Sequence, residues 1–104
     1  MPYTSPVTEH IDAHFDETLE KLKRWAAQPS ISTENVGIEE MARLAAEEFR
    51  SAGFEVNTYR AGGFPVVLAE TGPKDKPTIL IYNHYDVQPT PPARPWAARR
   101  NGCI

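Results

Sequence analysis

Residues 78–89 read TILIYNHYDVQP, from Thr78 to Pro89. Ile79, Leu80, Ile81 and Tyr82 form an apolar run without alternation, the pattern of a strand covered on both faces. The run ends at Asn83, and His84, Tyr85 and Asp86 follow at its carboxyl end. In open α/β sheets, functional side chains gather at that end of a strand. His84 and Asp86 are two apart, so on extended backbone both project to the same side. A carboxylate beside a histidine holds one ring nitrogen and leaves the other free for a metal. By itself this spacing does not separate a metal corner from an ordinary loop at a strand end.

Upstream, GPKDKP over 72–77 is a turn by composition. FPVVLAE over 64–70 is a strand, β-branched in its middle, with Pro65 tolerated near its start. Gly62 and Gly63 break the chain before it. FEVNTY over 54–59 alternates apolar and polar residues, which suits a half-buried edge strand. Residues 37–52, GIEEMARLAAEEFRSA, predict a helix with a stripe of Ile38, Met41, Leu44 (or Ala45), Phe49 and Ala52, closed by Gly53. SISTENVG over 30–37 is a polar connector. Residues 8–27 predict a first helix, with Thr8 as N-cap and Ile11, Phe15, Leu19, Leu22 and Ala26 on one face. Pro29 ends it. Two helices followed by strands, one of them fully covered, give an α/β layered domain.

The chain has 104 residues, enough for one small domain. Its net charge is −3, with no basic stripe, which argues against a nucleic-acid partner. No apolar run approaches the roughly 20 residues that span a bilayer, and the N-terminus lacks a secretory pattern. The single cysteine, Cys103, cannot close an internal disulfide, so a reducing, cytoplasmic location is expected. Four of the ten prolines crowd positions 89–95, so residues 90–104 read as an irregular tail after a domain of residues 1–89.

Other chemistry-bearing groups are weaker. His10 and His14 lie four apart on the first helix, a two-histidine clamp spacing, but a polar helix face explains them and no third ligand is implied. Glu39-Glu40 and Glu47-Glu48 read as a solvated face, with Glu39 reaching Arg43. No nucleophile and no glycine-rich phosphate loop stands out.

PTILIYNHYDVQP resembles the N-terminal metal-site segment of the zinc-dependent aminoacylase and carboxypeptidase family, which includes dipeptidases, acetylornithine deacetylase and succinyl-diaminopimelate desuccinylase. LKRWAAQPSIST, AAEEFRSAGFEV and FPVVLAETGP resemble the family's preceding segments in the same order, over about residues 8–89. The resemblance implies an incomplete part of a zinc-peptidase catalytic domain. It implies a metal-dependent amide hydrolase with two Zn2+ ions, or Co2+, acting on a dipeptide or an N-acyl amino acid. His84 would be a ligand of one metal. Asp86 would be the catalytic-site carboxylate that clamps its ring. A metal-activated water would attack the amide carbonyl while a glutamate takes the proton.

The sequence also departs from that pattern. The family's bridging aspartate, its Glu-Glu pair and its later ligands all follow the His-x-Asp motif. No Asp, Glu or His follows Asp86 here. After Trp96 the chain reads AARRNGCI. The expectation is a fragment, truncated or frameshifted after about Pro91 and inactive alone, with a homodimer possible only for the full-length form. The alternative is a small α/β protein that binds a partner or one metal and catalyses nothing.

Overall fold

The computed structural model describes residues 5–89; the proline-rich tail, Trp96 and Cys103 lie outside them. The described residues fall into two compact units, 5–27 and 28–89.

The first unit holds two helices, α1 (Pro6–Ala13) and α2 (Phe15–Ala27), where the periodicity predicts one. Ser5 rather than Thr8 is the N-cap: its Oγ accepts from the Thr8 amide at 3.2 Å. Pro6 follows at the first helical position, where its missing N–H costs nothing. The break falls at His14. Its ring nitrogen Nδ1 lies 2.8 Å from the His10 carbonyl oxygen, so the imidazole competes for an oxygen at the helix end. The two imidazoles stack with centroids 4.0 Å apart. Ile11, Phe15 and Leu22 of the expected stripe are exposed, and neither helix buries a residue fully. Periodicity marks which face is apolar; it does not supply the surface that covers it.

The second unit carries α3 (Ile38–Ser51), β1 (Glu55–Tyr59) and β2 (Val66–Glu70). Helix α3 packs against both strands. Its buried face is Ile38, Met41, Ala42, Ala45 and Ala46, and Ile38 is 2% exposed. Alanines let the helix sit close to the sheet, so Ala45 and not Leu44 occupies the centre. The helix ends in a Schellman motif: the Gly53 amide bonds the Arg50 carbonyl at 3.0 Å and the Phe54 amide bonds the Phe49 carbonyl at 3.0 Å. Gly53 takes φ +91°, and the Phe49 and Phe54 rings meet edge to face at 5.4 Å. Phe49 is therefore spent on the cap rather than on the core. The strands pair antiparallel, with Glu55 opposite Glu70 and Tyr59 opposite Val66. Val56, Val67 and Ala69 are half-buried, while their neighbours in the strands are exposed. The α/β class holds, with a two-stranded sheet among the described residues.

Residues 78–83, expected to be a buried strand, form no ladder, and Ile79 to Tyr82 are 80–86% exposed. A strand needs a neighbour for its backbone groups, and the hairpin β1–β2 does not provide one. A bare apolar segment of this kind is an association surface. The chain is expected to self-associate as its concentration rises, and the double substitution Ile79→Lys and Ile81→Lys to shift it towards monomer. Light scattering against concentration reads this; a wild-type chain that stays monomeric at high concentration contradicts it.

On the surface, Arg43 bonds Glu40 and Glu47, each at 2.6 Å. Glu39 does not reach Arg43 but pairs with both terminal nitrogens of Arg60, tying the first turn of α3 to the residue after β1.

Candidate metal centre

The connector before α3 is a closed loop rather than a loose one. Ile31 and Val36 form an antiparallel bridge, with N–H···O distances of 2.8 and 3.0 Å. It encloses a short 3-10 turn, Ser32–Glu34, and Asn35 in the left-handed region at φ 52°. Gly37 then enters α3 at φ +70°, packed on the Pro29 carbonyl.

This loop carries the His-x-Asp segment. The Ser30 hydroxyl donates to the Tyr85 carbonyl at 2.6 Å, and the Val87 amide donates to the Ser30 carbonyl at 2.7 Å. Ser30 is the buried polar residue of the unit. The Tyr85 hydroxyl donates to the Pro65 carbonyl at 2.5 Å, just ahead of β2. Burial first, and the negative charge of Glu39 second, push the Tyr85 phenol up and keep it protonated. Residues more than fifty positions apart are thus held together without a strand at 78–83.

Asp86 uses both carboxylate oxygens. Oδ1 lies 3.0 Å from His84 Nδ1, and Oδ2 accepts from the Ser32 hydroxyl at 2.6 Å. The Asp86 main-chain oxygen also lies 3.0 Å from His84 Nδ1. A carbonyl oxygen only accepts, so Nδ1 must carry the hydrogen. The neutral ring then keeps its lone pair on Nε2. The His84 side chain is 73% exposed, so that nitrogen is open to a ligand.

The Ser32 hydroxyl holds the Asp86 carboxyl below the usual carboxylate range; burial, the next largest influence, opposes it, and the bond to His84 adds a smaller lowering. The lowered folded value fixes the sign. The contribution of these bonds to stability is present above the ordinary aspartate pKa of about 3.9 and is lost as pH falls through the lowered value. Urea unfolding is expected to show Asp86→Asn with a shallower loss of stability than wild type on acidification. Parallel curves would remove Asp86 from the acid sensitivity.

The chain is 35% identical over 97 aligned residues to the Beta-Ala-His dipeptidase of Mus musculus, which covers 77% of this chain and 20% of that protein. It is 33% identical over 106 to the Beta-Ala-His dipeptidase of Rattus norvegicus, covering 85% and 21%. It is 34% identical over 95 to the Cys-Gly metallodipeptidase of Schizosaccharomyces pombe, covering 78% and 20%. This chain is similar to part of these dipeptidases, one of them a metallodipeptidase. It spans about a fifth of the length of the curated dipeptidases it matches. Neither a protein-family model nor a solved structure matches it.

The donor set fits a metallodipeptidase metal in part. His84 offers an oriented imidazole nitrogen. Among the described residues no group of three His, Cys, Asp or Glu side chains comes together to hold a metal ion. Neither His10 nor His14 belongs to such a group. No described helix is long and apolar enough to cross a membrane. Sequence reasoning singled out His84 and Asp86, and they meet. It missed Ser30, Ser32 and the Tyr85 hydroxyl. The signal was the alternation in QPSIST, which puts Ser30 and Ser32 on one side of extended backbone.

Proposed function

We propose that this chain is the metal-site segment of a zinc-dependent amide hydrolase that cleaves dipeptides. The observation that carries the reading is the Nδ1-to-Asp86 clamp on His84, found in a chain related to metallodipeptidases. His84 would hold one metal through Nε2. Asp86 would hold the ring, and Ser32 and Ser30 would hold the segment that bears both. When bound, zinc polarises the amide carbonyl and activates water at neutral pH. A dipeptide is favoured over an N-acyl amino acid because the mouse, rat and yeast relatives are named as dipeptidases. The reducing, cytoplasmic setting rests on the lone Cys103.

A chimera tests this, with residues 8–89 replacing the matching stretch of the mouse relative. It is expected to retain metal and cleave a dipeptide. His84→Ala within it is expected to lower bound metal and reduce kcat/KM by more than about a hundredfold, since even the residues that merely orient ligands are worth 10–100-fold. A folded, active chimera indifferent to His84→Ala would remove the reading.

A further inference from the structure

We infer that Ser32 is a positioning residue for His84, acting through Asp86; the role rests on the reading of His84 as a ligand through Nε2. A carboxylate on an exposed side chain turns easily about its last torsion, which is broad and roughly two-fold. Here the two oxygens are divided. Oδ2 is anchored by the Ser32 hydroxyl at 2.6 Å, which leaves Oδ1 facing His84 Nδ1 at 3.0 Å. The Ser32 contact has the short length of a hydroxyl bond to a charged acceptor. Ser32 is itself fixed, as the first residue of the 3-10 turn closed by the Ile31–Val36 bridge.

Ser30 makes a useful contrast. It also ties the connector to the His-x-Asp segment, but through the main chain of Tyr85 and Val87. Ser32 is the connector residue whose side chain bonds the clamp itself. The consequence is chemical as well as mechanical. A free neutral imidazole places its hydrogen mainly on Nε2, which would occupy the outward lone pair. The Asp86 main-chain oxygen and its Oδ1, each 3.0 Å from Nδ1, together draw that hydrogen to Nδ1, and Ser32 holds the carboxylate in the orientation that adds its share.

The test reads the His84 tautomer by long-range proton–nitrogen NMR on the 15N-labelled 104-residue chain without metal, at a pH where the ring is neutral. The wild type is expected to show a protonated Nδ1 and a bare Nε2. Ser32→Ala is expected to narrow that separation, with both resonances moving towards the free-imidazole pattern while the Asp86 main-chain oxygen still faces Nδ1. Ser32→Thr restores it, and Ser30→Ala moves it far less than Ser32→Ala. Should Ser32→Ala fail to fold, Ser32→Cys keeps the volume, weakens the donor and is read the same way. A Ser32→Ala chain that keeps the wild-type tautomer, or a Ser30→Ala chain that shifts as far, overturns the role. Because the measurement is made without metal, it decides the role of Ser32 even if His84 binds none.

Discussion

Gly37→Ala is expected to destabilise the chain by about 2–5 kcal/mol, combining a left-handed residue with overpacking against backbone. Gly37 holds φ +70°, and a Cβ there would lie 2.0 Å from the Pro29 carbonyl oxygen and 2.6 Å from its carbon. Neither atom is the end of a flexible side chain, so the connector itself must shift. Gly53→Ala separates the two effects. Gly53 also has positive φ, at +91°, but a Cβ there meets nothing within 4 Å. Its cost should be the conformational part alone, about 1–2 kcal/mol. Urea unfolding of both variants reads the difference. The consequence reaches the candidate site, because the loop that Gly37 closes carries Ser30 and Ser32. Equal losses for the two variants would show that the Pro29 contact does not constrain the connector.

The 104-residue chain alone is expected to hydrolyse no dipeptide, with or without added zinc. A catalytic zinc normally takes about three protein ligands. Among the described residues only His84 is oriented as a donor beside its clamp, and no Asp, Glu or His follows Asp86 in the sequence. The early glutamates are committed elsewhere: Glu39 to Arg60, and Glu40 and Glu47 to Arg43. Among the described residues no carboxylate is left beside His84 to act as a general base, since Asp86 spends one oxygen on the ring and the other on Ser32. Incubation with β-alanyl-histidine and with cysteinyl-glycine should give product at the buffer rate. Zinc-dependent turnover that a chelator abolishes and His84→Ala removes would contradict this.

The parts of the fold that were legible in the sequence depend on local chemistry. Helix α3, its Gly53 terminus and both hairpin strands follow from short-range periodicity and turn residues, and all stand near the expected bounds. The break at His14 was not legible, because it is one residue at φ −111° and ψ 15° whose imidazole shares the His10 carbonyl oxygen with its own amide. Residues 78–83 form no strand here for a different reason. Their composition states how a strand would be buried, but burial requires a neighbouring strand that the described residues do not contain. At the candidate site, the His84–Asp86 contact was legible because it spans two residues. The Ser32–Asp86 bond spans 54 positions, and only the folded connector brings those residues together.

The central claim is that His84 presents Nε2 to a metal. Zinc titration of the 15N-labelled chain, with His10→Gln and His14→Gln removing the other imidazoles, tests it most directly. The account predicts that Zn2+ shifts Nε2 of His84 and leaves Nδ1 protonated, and that Asp86→Ala weakens the response by about 10–100-fold. A zinc response through Nδ1, or a His84 ring that ignores zinc throughout, would contradict it.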